Sequence, residues 1–212
     1  HASSTQNLFY NVPILISIAH KYSIPTVDIP HGIPLYINHS KRWNVSKYDY
    51  VNNIKTHLVL HHKWWKNELD EFGLVKRNIT ILGSARYCKE WKNIMDRILP
   101  PEESLYNIGK NKLKVLYMDL PHYAEYNHAL SLNLVEQISM LDFAYLIVKP
   151  QTRANKLTFN NNSKIYVGTR ENSVNLIKWA DVVIVLFSSI LLEVLTSKKI
   201  LLYPKYMHSN KM

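Results

Sequence analysis

Asp181-Val-Val-Ile-Val-Leu-Phe187, followed without a break by Ser188-Ser189-Ile-Leu-Leu-Glu193, decides the fold. An unbroken apolar run rich in β-branched residues does not alternate between core and solvent, so Asp181 to Phe187 reads as a strand buried on both faces. The run stops at two hydroxyls, and Ser188 to Ser197 reads as a helix packing back on the sheet. Ile200 to Tyr203 is a further strand. A doubly buried strand with a helix directly behind it is the repeating unit of a parallel sheet.

The same alternation extends backwards through the chain. Leu113 to Met118 and Tyr145 to Val148 read as strands around a helix over Asn127 to Leu141, and Lys164 to Val167 precedes a helix over Ser173 to Ala180. Before the polar stretch Pro100 to Asn111, a first set appears. It comprises a helix over Asn11 to Tyr22 and strands over Pro25–Pro30, His57–His61 and Asn78–Leu82. Helices over Lys63–Phe72 and Glu90–Leu99 complete it. These patterns predict an α/β chain with two doubly wound parallel-sheet domains, 1–100 and 112–212, joined by a linker over 101–111. Each set looks incomplete, and the chain opens on His1 in mid-pattern, so we expect a fragment with both domains truncated.

Composition narrows the classes. The 212 residues are 47% hydrophobic and 20% charged, enough apolar material for a core, which excludes a disordered chain. One cysteine, Cys88, excludes a disulfide framework and a multi-cysteine metal site, and points to a reducing compartment. The run Val182 to Phe187 falls far short of the roughly 20 residues of a membrane span. No basic segment leads into an apolar one at the start, so a cytoplasmic location is expected. The net charge is +10, spread over both halves. Such a surface attracts polyanions, either phosphorylated substrates or the anionic inner face of a membrane, or it is simply a lysine-rich solvated face. No regular arginine spacing or stacking-aromatic motif appears, so no specific nucleic-acid partner is expected.

Four segments carry candidate chemistry. Ser188 and Ser189 stand where a buried strand meets a helix N-terminus, whose free N–H groups and positive dipole end favour a phosphate. Glu193, four residues past Ser189, lies one turn on, where a carboxylate accepts from a sugar or ribose hydroxyl. The plainer reading of this pattern is an ordinary N-cap at Ser188 and a surface glutamate at Glu193. Val148-Lys149-Pro-Gln151-Thr-Arg153 ends a strand at one cation and adds a second four residues later, suited to a phosphoanion at the ligand-binding edge of an open sheet, or else to solvent. His31-Gly32 follows a strand between prolines. The glycine lets backbone approach a ligand, and the imidazole can act as a base near neutral pH. Asp28 and His122 are the alternative bases, and His122, in Asp119-Leu-Pro-His122, also follows a strand. No Asp-x-Asp motif is present, so no metal and no cofactor are expected.

Taken in order, Pro30-His31-Gly32, Leu82-Gly83-Ser84-Ala85-Arg86-Tyr87, Lys149-Pro-Gln-Thr-Arg153, Trp179 through Ser188-Ser189, and Tyr203-Pro-Lys-Tyr-Met-His208 resemble bacterial surface-carbohydrate and capsular-polysaccharide biosynthesis proteins. More distantly they are similar to CDP-glycerol glycerophosphotransferases and to nonhydrolysing UDP-N-acetylglucosamine 2-epimerases. The resemblance implies a GT-B arrangement, two Rossmann-like domains facing across a cleft, with an acceptor on the first and a nucleotide-activated sugar on the second. It implies His31 as general base, Lys149, Arg153, Ser188, Ser189 and Glu193 at the donor phosphates and sugar, and Gly32, Gly83, Ser84, Arg86, His122, Gln151 and His208 near the cleft. The chain departs from the family at Gln151, where histidine is usual, since an amide carries no proton. Ala85 likewise replaces a common proline. The implied activity is metal-independent glycosyl transfer to a polysaccharide or lipid-linked acceptor. A CDP-polyol phosphotransferase and a noncatalytic module of a capsule assembly complex are the alternatives.

Overall fold

A computed structural model describes residues 14–28, 57–71, 78–120, 126–151, 159, 164–186 and 188–207. The chain divides into two compact units, His1–Ala85 and Arg86–Met212.

In the first unit, helix α1 (residues 14–21) precedes β1 (Val27–Asp28), β2 (His57–Leu60), α2 (Lys63–Glu71) and β3 (Ile79–Ile81). The strands form a parallel sheet in the order β1-β2-β3. His57 Nε2 lies 2.7 Å from Thr80 Oγ1 on the neighbouring strand, and His20 Nε2 lies 3.0 Å from Thr26 Oγ1. Two of the unit's histidines are thus engaged in local hydrogen bonds.

The second unit opens with α3 (Lys89–Ile98), capped by the chain's single cysteine, whose Sγ accepts from Trp91 N. Next come β4 (Leu113–Met118), α4 (His128–Ser139), β5 (Ala144–Lys149), β6 (Ile165–Val167), α5 (Ser173–Trp179), β7 (Val182–Ile184), α6 (Ile190–Thr196) and β8 (Ile200–Leu202). All five strands are parallel, in the order β6-β5-β4-β7-β8. Counted within the unit this is 3-2-1-4-5, the strand order of the Rossmann fold.

Register explains the two-sided core. Ile147, Leu116 and Val183 stand opposite one another across three strands and bury one face with Leu176, Ile177 and Trp179 of α5 and Val194 of α6. Their neighbours Leu146, Val115, Val148 and Tyr117 point the other way, where Val135 of α4 covers them. Period-two alternation with apolar residues at both phases is why these segments read as continuous hydrophobic runs. On the α4 side, Tyr117 Oη and Ser131 Oγ share a buried hydrogen bond of 2.5 Å, and burial pushes the phenol's pKa up.

The division falls at 85/86, whereas the sequence predicts a first domain to residue 100 and a linker over 101–111. The reason is attachment. Asp96 accepts from Lys178, Lys92 from α3 donates to the Thr196 carbonyl, Leu105 enters the core, and Trp179 Nε1 donates to Ile108 O. Gly109 is buried at φ +66°, and a Cβ there would lie 2.9 Å from Tyr145 Cβ. Substituting Gly109→Ala is therefore expected to destabilise the protein by about 1–3 kcal/mol in urea unfolding, through overpacking and left-handed strain. A free linker would tolerate the change without loss.

Candidate functional site

An open parallel sheet binds ligands outside the carboxyl ends of its strands, at the point where strand order reverses. In the second unit that point lies between β4 and β7, whose chain continuations run to opposite sides. Beyond Ile184 the chain passes through buried Val185 and Leu186 to Ser188 and Ser189. The paired hydroxyls therefore follow one of the two strands that flank the reversal.

Their local geometry differs from a simple cap. Ser188 Oγ accepts from Ile190 N at 3.4 Å. Ser189 occupies the N-cap position of α6 with helical φ −60° and ψ −15°, and its hydroxyl makes no capping bond. Its carbonyl accepts from Tyr87 Oη at 3.2 Å, and burial raises the pKa of that phenol. One serine is partly engaged by the helix start, while the Ser189 hydroxyl is left unused by it.

Glu193 and Arg86, from two separate motifs, come together. Arg86 donates from Nε to Glu193 Oε1 at 2.7 Å, and a second guanidinium nitrogen lies 2.5 Å from the same oxygen. Half of the Arg86 side chain is exposed, whereas Glu193 is largely covered. In this exposed setting such a pair contributes at most about 1 kcal/mol. Its larger consequence is positional: a guanidinium is held one helical turn from Ser189. Sequence reading assigned Glu193 to a sugar hydroxyl and missed that one of its oxygens is occupied by arginine.

Lys149 has a different role from the one the sequence suggests. It is 5% exposed at the end of β5. Its Nζ donates to the carbonyls of Gly168 at 2.9 Å, Glu171 at 2.7 Å and Thr169 at 3.4 Å. All three ammonium protons are thus directed at the turn between β6 and α5, leaving none for a phosphate. Burial lowers the lysine's pKa, and the carboxylates of Glu171 and Glu102 act against that shift. Glu171 is itself buried and accepts from Tyr166 Oη. Tyr166 is pushed up to about 12, chiefly by that hydrogen bond.

The other sequence candidates are distributed as follows. Gly83, at φ +74°, holds a conformation that favours glycine, with open space where a Cβ would be. Ser84 is partly buried beside it, and both belong to the first unit. Gln151 is partly buried two residues beyond Lys149. His31, Gly32, His122, Arg153 and His208 lie outside the described residues.

Sequence reading also missed a cluster over the strand ends. Leu120, Tyr126, Leu186 and Met207 pack together there, and Asn127 N donates to Met207 O at 2.7 Å. Tyr126 Oη lies 3.2 Å from His128 Nδ1, and burial pushes the phenol up to about 12. Asp119, buried just past β4, accepts from Leu120 N. The signal available was Asp119-Leu120-Pro121 directly after a strand. Tyr126 stands outside that segment and carries no signal of its own in the sequence.

No family model matches the sequence, and no curated protein matches it.

The position of Lys149 makes a discriminating prediction. Lys149→Met strands three carbonyls without their donor and is expected to cost about 1–3 kcal/mol of stability. Nucleotide affinity of the folded variant should stay at the wild-type value. A fully stable variant with weakened affinity would instead return Lys149 to the phosphate site.

Proposed function

We propose that the protein is a metal-independent glycosyltransferase that uses a nucleotide-activated sugar in surface-polysaccharide synthesis. The observation that carries this reading is the 3-2-1-4-5 order of the second sheet, with Ser188 and Ser189 following one of the strands that flank its reversal point. A diphosphate seated there meets the Ser189 hydroxyl, which makes no capping bond, with the Arg86 guanidinium one turn away. Arg153 adds a second cation in the family pattern. The Lys149 ammonium is committed to the sheet and contributes none of this charge.

In this reading the two units adopt a GT-B arrangement, and the acceptor hydroxyl is presented by the first. His31 takes the hydroxyl proton as the oxygen attacks the anomeric carbon. The nucleoside diphosphate leaves with its charge held by the hydroxyls and the guanidinium groups. Gln151, in place of histidine, orients by hydrogen bonding and leaves proton transfer to His31.

Ser189→Ala is expected to weaken nucleotide-sugar binding by about 1–3 kcal/mol in calorimetric titration, the loss of a charge-assisted hydrogen bond. His31→Ala should keep donor affinity and lower turnover by roughly 10²–10⁴-fold. Unchanged affinity in a folded Ser189 variant would remove the phosphate site. Release of CMP rather than a nucleoside diphosphate would identify a polyol-phosphate transferase, and binding without turnover of any donor a noncatalytic module.

A further inference from the structure

Strand β2 is the middle strand of the first sheet, and ligands of an open parallel sheet lie outside the carboxyl ends of its strands. Leu60 ends β2, His61 and His62 follow, and α2 opens at Lys63. Trp64 stands in the first turn of α2 and is 48% exposed. Its ring stacks on that of His62, with centroids 5.5 Å apart and planes 25° from parallel. Among the described residues of this unit, Tyr22 is the other exposed aromatic side chain, and it lies ahead of the amino end of β1. Trp64 thus presents a large aromatic face at the ligand edge, fixed against an imidazole before any ligand arrives. Such preorganisation lowers the entropy lost on binding.

Space and polarity select the ligand. Leu82 N donates to Leu60 O, so Gly83 leaves β3 beside the residues that leave β2. Nothing stands within 4 Å of where a Cβ on Gly83 would be, so this edge of the sheet is open. Burial, and after it the neighbouring His62, lower the pKa of His61. Near neutral pH that imidazole is uncharged, a hydrogen-bonding group suited to a hydroxyl. The face of an aromatic ring carries negative charge density, whereas the C–H bonds of a sugar ring carry positive charge drawn by the neighbouring oxygens. A pyranose therefore offers its apolar face to the indole and its hydroxyls to the groups around it.

We propose that Trp64, held by His62, is the platform on which a sugar ring of the acceptor stacks. This role rests on the proposed glycosyl transfer, in which the first unit presents the acceptor. It makes the acceptor a saccharide at the point of contact, whatever carrier lies beyond.

The test follows the Trp64 indole N–H signal of the isotope-labelled full chain while pentasaccharides of glucose, galactose and N-acetylglucosamine are added in turn. At least one of the three should shift that signal saturably. Trp64→Ala should weaken the same binding by about tenfold with an unchanged circular dichroism spectrum, and Trp64→Phe should restore most of it. His62→Ala should weaken it by a smaller factor, because the indole loses its support. The platform is overturned if none of the three saccharides moves the Trp64 signal, or if the alanine variant at Trp64 binds as tightly as wild type. It is also overturned if uridine moves the signal as strongly as any saccharide, which would make the occupant a nucleobase. Adding UDP to the same sample separates this role from the donor site. A saturable response at Ser189 with Trp64 unmoved by every saccharide removes the platform alone. Saccharide binding at Trp64 without any response to UDP removes the donor site alone.

Discussion

Strand β4 pairs with β5 on one side and β7 on the other, all in parallel, and the organisation of the second unit follows from that placement. Parallel neighbours cannot be joined by hairpins, and among the described residues α4 leads from β4 to β5, α5 from β6 to β7 and α6 from β7 to β8. With β4 central, the chain first builds outward through β5 and β6, then returns to lay β7 on the opposite side. The helices that follow β4 and β7 therefore cover opposite faces of the sheet. Ser188 and Ser189 precede one of those helices, which gives two small hydroxyls a reason to follow a strand of purely apolar residues.

Burial on both faces has a polar cost that the unit meets internally. Where β5 ends and the turn after β6 begins, several carbonyls point away from any ladder partner. The Lys149 ammonium supplies their donors and acts as a built-in cation at the base of the turn that leads to α5. A strand-end lysine serving the backbone looks the same in sequence as one serving a ligand, because both need a cation at the carboxyl edge. Only the coordinates of Nζ distinguish them.

Much of the architecture was legible in the sequence for a simple reason. Val115 to Tyr117, Leu146 to Val148 and Val182 to Ile184 are runs that fit only strands covered on both sides, and each appears in the sheet. The boundary near residue 86 was not legible. Helix α3 is fastened by ion pairs and a lysine–carbonyl bond, which leave no hydrophobic period in the sequence and which depend on partners some 80 to 107 residues away. The same holds for the meeting of Arg86 with Glu193, since each residue type was conspicuous alone and their pairing required the fold. Tyr126 and Met207 were missed because an isolated bridge residue and the end of a single 3-10 turn carry no periodicity.

The proposed glycosyl transfer requires a phosphate seat at the reversal point of the second sheet. Backbone amide shifts of the isotope-labelled protein, followed while UDP or CDP is added, report on it most directly. The account predicts that the largest saturable shifts fall on Ser189, Ile190 and Leu191, with Arg86 and Asp119 next. Shifts confined to the turn around Lys149 and Glu171, with Ser189 to Leu191 unmoved, would contradict it.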